Sequence, residues 1–199
     1  ETDGSTEVDE SGSTDTFTVV LDAQPTSDVV LTITSESTTE ASVNPSSVTF
    51  TSENWDTPQT VTVTGVDENV VDGDQTTNIT IAILDTASDD NFDDLADQTI
   101  SVDTLDDDVA GFTIEETDGS TEVDESGSTD TFTIVLDAQP TSDVVLTITS
   151  DDTGEATVPA SVTFTAANWD TPQTVTVTGA DDSIIDGTIT STITIAVDD

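Results

Sequence analysis

The sequence has 199 residues and contains no lysine, arginine or histidine. No side-chain ion pair can form, and 44 Asp and Glu residues leave a formal net charge of −44. Self-repulsion on that scale opposes a compact state at low salt, so high salt, divalent cations or both must offset it. The same absence removes nucleic acid as a partner, because binding it relies on Lys and Arg neutralising phosphates. Anionic membrane surfaces are excluded on the same ground. Cysteine, methionine and tyrosine are also missing. No disulfide can staple the fold, and zinc and copper lose their thiolate and imidazole ligands. No Ser-His, Cys-His or lysine-based nucleophile can be assembled. Carboxylate pairs could cleave glycosides, but nothing marks the enclosed cleft they would need, so no enzyme is expected. No signal peptide and no membrane-spanning run is visible, and direct membrane insertion of this segment is not expected.

What the chain does have is a repeat. ETDGSTEVDESGSTDTF opens at Glu1 and returns at Glu116, an offset of 116 − 1 = 115 residues. Residues 1–34 and 116–149 differ at one position, Val19 against Ile134. With Asn44 dropped, VTFTSENWDTPQTVTVTG (48–65) becomes VTFTAANWDTPQTVTVTG (162–179). Such spacing means tandem modules. The expected division is 1–108 and 109–199, with the second module ending level with Asp85 and lacking its last strand. The chain is therefore expected to be cut from a longer array.

Thr and Val dominate the apolar runs, which favours strands, and no 3.6-residue period is sustained. Strands are expected at Thr6–Val8 and at FTVVLD with Phe17, Val19 and Leu21 on one face. DVVLTITS follows with Val29, Leu31 and Ile33 inward, then SVTFT and PQTVTVTG with Val61 and Val63 inward. NITIAIL (Ile79, Ile81, Ile83) and QTISVDTL (Ile100, Val102) complete the module. Pro45 is expected to break pairing after the acidic loop 36–40. Trp55 and Trp169 are read as lids over the end of the core, and Phe92 and Leu95 as tucked against it. Seven or so short strands with inward alternation predict an all-β chain of tandem immunoglobulin-like, seven-stranded β-sandwiches.

Clustered oxygen ligands with no compensating cation suit Ca²⁺. A ligand of a repeated site should recur, and the repeat selects the candidates. Glu10 returns as Glu125, Glu36 as Asp151, Glu40 as Glu155, Asp67 as Asp181, Glu68 as Asp182 and Asp72 as Asp186. Glu53 becomes Ala167 and drops out. Asp106, Asp107 and Asp108 join the set because three adjacent carboxylates at a linker-free junction repel one another unless a cation sits there. The competing view of each acid is a solvated surface adapted to salt.

TEVDESGSTDTFTVVLDAQPTSDVVLTIT, VTFT…TVTVTGVDENVVDGDQTTNITIAIL and TLDDD, in that order, resemble Calx-beta modules. The resemblance covers nearly all of the first module and the second up to its end. It implies a seven-stranded sandwich binding Ca²⁺ at one end. The ligands it implies are Glu10, an acid of the 36–40 loop, Asp67, Glu68, Asp72 and Asp106 to Asp108. The family's acidic-loop run is interrupted here by Asn69, Val70 and Val71, and its Gly-Thr-Ala loop signature is absent. Such modules occur in ion exchangers, integrin subunits and arrays in bacterial surface adhesins. Near-identical acidic repeats look most like the last. The expected function is a calcium-stabilised structural repeat of an extracellular stalk, adhesin or filament at the cell surface. The expected partners are neighbouring copies of the same module, in the same chain or along a filament. The alternative is a calcium-dependent ligand- or carbohydrate-binding adhesion module, whose mark would be a loop that differs between repeats and carries aromatics. No such loop is present.

Overall fold

The computed structural model describes residues 5–181, 183–185 and 187–198. The chain divides into two compact units: Glu1–Glu68 with Asp72–Asp107, and Asn69–Val71 with Asp108–Asp199.

The first unit contains eight strands: β1 (Thr6–Asp9), β2 (Thr14–Val19), β3 (Val29–Ser35), β4 (Ala41–Asn44), β5 (Ser47–Phe50), β6 (Gln59–Gly65), β7 (Gln75–Ile83) and β8 (Gln98–Leu105). One turn of 3₁₀ helix, Asp85–Ala87, follows β7. The strands form a five-stranded sheet ordered β1-β8-β7-β3-β5 and a three-stranded sheet ordered β2-β6-β4. With the second, third and last strands split this way between two sheets, the unit is an immunoglobulin-like sandwich. Every pairing is antiparallel except β1 with β8, which is parallel, Thr6 opposite Val102 and Val8 opposite Thr104.

Period-two alternation drives each strand's inner face into one core. Phe17, Val29, Leu31, Ile33, Phe50, Val61, Val63, Ile79 and Val102 are all buried there. Trp55 packs against this core partly buried, and its carbonyl accepts from the Leu21 N–H at 3.1 Å. The turn before Trp55 is fixed by Asn54, whose Oδ1 accepts from the Thr51 N–H at 2.6 Å. Asn168 and Thr165 repeat that bond at the same length.

Three expectations need correction. Pro45 does not prevent pairing around it: β4 lies immediately before it and pairs with β6 from Ala41 opposite Gly65 to Asn44 opposite Thr62. A proline after a strand removes no donor that the strand uses. Leu95 is 55 % exposed rather than tucked in, whereas Phe92, from the same loop, does pack on the core. The first unit has eight strands rather than seven.

The second unit contains β9 (Phe112–Glu116), β10 (Thr129–Leu136), β11 (Val144–Ser150), β12 (Ala156–Thr157), β13 (Ser161–Phe164), β14 (Gln173–Gly179) and β15 (Ile193–Val197). They form sheets ordered β12-β14-β10-β9 and β13-β11-β15. The central core recurs: Phe132, Ile134, Leu146, Ile148, Phe164, Val175 and Val177 are buried. The difference lies at one side. β15 spans the counterpart of 79–83 only, and residues 189–192 and 121–124 are not in strands.

Candidate metal centre

Glu10 follows β1 directly, and its N–H donates to the Leu105 carbonyl at 3.1 Å, prolonging the β1–β8 pairing by one residue. That bond places Glu10 beside the chain leaving β8. On the other side, β1 is pressed against β6. A Cβ on Gly65 would stand 2.0 Å from the Asp9 carbonyl oxygen, so only glycine allows the backbones this close. The Gly65 N–H also donates to the Ser13 carbonyl at 3.0 Å, and Val66 N–H donates to the Glu40 carbonyl at 2.9 Å. The result is that the β1 end, the 66–74 loop, the 36–40 loop and the stretch after β8 converge on one side chain.

Glu10 is fully buried, at 0 % exposure, and neither of its carboxylate oxygens has a hydrogen-bond partner. Burying a carboxylate without a partner is among the costliest arrangements a fold can hold. Burial first, and then the charges of Asp106, Glu68, Asp72 and Glu40, push its carboxyl group up to about 7.

Two groups of three carboxylates form around it: Glu10 with Glu68 and Asp72, and Glu10 with Asp106 and Asp108. Within each group one oxygen per residue lies within 4.8 Å of the others. Oxygens on opposite sides of a Ca²⁺ stand about 4.6–5.2 Å apart, twice the usual ligand distance, so the spacing allows a shared cation. Asp106 is held in place from both directions: its Oδ2 accepts from the Gly73 N–H at 2.7 Å, and its N–H donates to Asp74 Oδ1 at 3.2 Å. Glu40, half-buried, has one oxygen, Oε2, shielded and without a hydrogen-bond partner. The donor set is all oxygen, which fits Ca²⁺ and no softer metal.

Other candidates fall elsewhere. Glu36 is exposed and accepts from Asn78 Nδ2 at 3.0 Å. Asp67 and Asp107 are exposed and belong to neither group. In the second unit Glu125 and Glu155 are half-buried, Asp181 is exposed, and Asp151 is exposed with its Oδ1 accepting from the Thr192 N–H at 2.7 Å. Asp182 and Asp186 lie outside the described residues. Among the described residues, both groups contain Glu10 and neither involves Glu125.

One carboxylate that matters was not anticipated. Asp89 is buried and accepts from Thr26 N–H at 2.6 Å, Thr26 Oγ1 at 2.7 Å, Ser27 N–H at 3.0 Å, Asn91 N–H at 3.0 Å and Asn91 Nδ2 at 2.7 Å. The Thr26 hydroxyl first, then the Asn91 and Thr26 amides, hold it well below the usual carboxylate range. It has no lone pair left for a metal and acts as a clamp on the 24–27 turn. The repeat could not flag it, because residues 86–115 have no second copy in the sequence.

Among the described residues, no helix is long and apolar enough to cross a membrane. No protein-family model and no curated protein matches the chain. Among solved structures it is similar to the calcium-binding domain CBD12 of CALX1.1, with 14 % identity over 97 % of this chain and 77 % of that one, at a TM-score of 0.37. It is also similar to domains 5–6 of the S-layer protein SbsC, with 22 % identity over 96 % and 86 % at 0.33. The CupB2 chaperone of Pseudomonas aeruginosa shares 6 % identity over 98 % and 90 % at 0.39. At such TM-scores these likenesses carry no argument about function.

Proposed function

We propose that this chain is a calcium-stabilised structural repeat of an extracellular stalk, adhesin or filament at a bacterial or archaeal cell surface. The observation that carries the reading is Glu10: a fully buried carboxylate with two unpartnered oxygens, ringed by carboxylates, in a sequence without one cationic side chain. A bound Ca²⁺ supplies the missing positive charge. Glu10 with Glu68 and Asp72, or Glu10 with Asp106 and Asp108, would hold it. The ion ties the start of the sandwich, the 66–74 loop and the end of the last strand together, which is a mechanical task rather than a chemical one. Neighbouring copies of the module, in the same chain or along a filament, are the partners this role requires.

The test is thermal unfolding followed by circular dichroism with Ca²⁺, with Mg²⁺ and with chelator, all at matched high ionic strength. Matching the salt separates binding from general screening. At a hundredfold excess over its dissociation constant, Ca²⁺ should stabilise the first unit by about 2.7 kcal/mol, a rise of roughly 10–20 °C for a domain this size. Mg²⁺, which tolerates only near-octahedral sites, should do much less. Coincident melting curves would end the calcium reading.

A further inference from the structure

Charge is spread unevenly over the first unit. Its carboxylates sit mainly in the loops, and the outer face of the three-stranded sheet carries none. Alternation turns Phe17, Val61 and Val63 into the core. It leaves Thr14, Thr16 and Thr18 of β2 facing out, with Thr60, Thr62 and Thr64 of β6 beside them. The register sets Thr14 opposite Thr64, Thr16 opposite Thr62 and Thr18 opposite Thr60. β4 extends the first two rows with Ser42 and Asn44. In the second unit the six threonines return as Thr129, Thr131 and Thr133 against Thr178, Thr176 and Thr174, and Thr157 takes the place of Ser42. There one carboxylate, Glu115, borders the lattice from the marginal strand β9, opposite Thr133. Threonine suits an exposed strand position, but that preference does not by itself clear a face of acid. The five-stranded sheet of the first unit has the same alternation, and it exposes Glu7 and Asp103 side by side on its outer face.

We propose that this threonine face is where copies of the chain pack side by side, and that its occupant is the same face of a second copy. This rests on the reading as a structural repeat and names the surface through which neighbouring copies meet. With 44 carboxylates and no cationic side chain, two copies repel wherever acidic loops approach, and a surface free of carboxylates is where they can touch. A basic partner would settle on the acidic loops instead. An apolar partner would leave the hydroxyls without hydrogen bonds. A second threonine face meets both demands. Each hydroxyl donates and accepts, and two sheets of the same strand spacing stack about 10 Å apart with their side chains interleaved. No aromatic side chain stands on β2, β6 or β4 facing outward to stack a sugar ring, which favours a copy over a glycan. Strand lengths and spacing give the face about 300 Å² per unit, against about 800 Å² per partner in a standard interface. One pair of faces is therefore weak, and the contact gains strength through repetition of the unit.

Sedimentation equilibrium of the full chain tests this, at low and at high ionic strength, with Ca²⁺ and with chelator. The expected result is an apparent mass that rises reversibly with concentration once salt screens the long-range repulsion. Thr62→Asp combined with Thr176→Asp sets a carboxylate in the middle of each face and should remove that rise. Ser101→Asp, on the outer face of the other sheet, should leave it intact. Because an aspartate in a central strand can itself cost folding, a second measurement exploits the absence of cysteine from the chain. Thr60→Cys chains should be joined by disulfides severalfold faster than Ser101→Cys chains under the same oxidant. A mass independent of concentration in every medium, an equal loss of association from Ser101→Asp, or equal cross-linking of the two cysteine variants overturns the proposal. So does a chain that stays monomeric yet is retained on a neutral polysaccharide and loses that retention in the aspartate variants, which would assign the face to a glycan. The two readings fail separately. Association without a Ca²⁺-dependent rise in melting temperature counts against calcium alone, and the rise without association counts against this face alone.

Discussion

Residues 1–34 of the first unit and 116–149 of the second differ at a single position, yet the same residues do not adopt the same structure in both. Thr6–Asp9 is a strand, and its identical copy at 121–124 is not. Gln75–Ile83 is a nine-residue strand, and its copy keeps only the five residues that pair with β11. In each case the missing pairing is the one that β8 provides in the first unit. A strand at the margin of a sheet is thus made by its neighbour as much as by its own side chains. The inter-sheet core is insensitive to this: Val61 and Val175, like Phe50 and Phe164, are equally buried. Glu10 follows the marginal strand. It is fully buried beside the end of β8, and its copy Glu125, with no such strand among the described residues, is half-buried.

The largest effect that would break the comparison is a steric one. Gly65→Ala should destabilise the first unit by about 2–3 kcal/mol, since overpacking against backbone has no flexible atom to yield. Gly179→Ala makes the same clash with the Asp124 carbonyl, but residues 121–124 are not paired in a sheet, so the cost should be less than half as large. Trp169→Phe and Trp55→Phe backgrounds leave one reporter per unit, and denaturant unfolding followed by fluorescence reads each separately. Equal losses in both units would show that β8 does not fix β1.

Asp89→Ala comes next and should act on the first unit alone. It strands the donors of Thr26, Ser27 and Asn91 at a buried position, and a drop of about 5–10 °C in the first unit's melting temperature is expected. Because Asp89 is held below its ordinary range, it stabilises the unit above about pH 4. That stabilisation is lost as the pH falls below its ordinary range, and the Ala variant should not show the loss.

Glu10 has the opposite sign. Its folded carboxyl group is raised from 4.5 to about 7, so the folded unit binds the proton more tightly than the unfolded chain does. Without metal, its contribution is intact below about pH 4.5 and declines as the pH rises through about 7. Over that window Glu10→Gln should flatten the fall in melting temperature by about 5 °C, and it should also abolish the response to Ca²⁺. Glu125→Gln is the matched control and should change neither. If both variants behave alike, burial by β8 is not what sets Glu10 apart.

Much of this was legible in the sequence, for a physical reason. Inward positions such as Val29, Leu31 and Ile33 announce themselves by alternation, and Glu10 is marked by its recurrence at Glu125. Alternation is local, and what it missed is not. The parallel pairing of Thr6 with Val102 joins residues nearly a whole module apart. The burial of Glu10 depends on that pairing, so a recurring acid could be named but not placed. Glu36, Asp67 and Asp107 look like Glu68 and Asp72 in composition. Only the path of the 66–74 loop and the exit from β8 separates those that turn toward Glu10 from those that face water. Asp89 was missed because the repeat served as the filter and its loop is not repeated.

The smallest effect is also the most selective. Thr6 is buried in β1 with its hydroxyl unpartnered, as is Thr104 opposite Val8 in β8. An unpartnered hydroxyl in an apolar setting loses its water without recompense, so Thr6→Val, which keeps the shape and the strand preference, should stabilise the first unit by about 0.5–1 kcal/mol. The copy, Thr121, is half-exposed and can still reach water. Thr121→Val should therefore leave the second unit unchanged. An equal gain at Thr121 would mean that burial of the Thr6 hydroxyl is not what the substitution relieves.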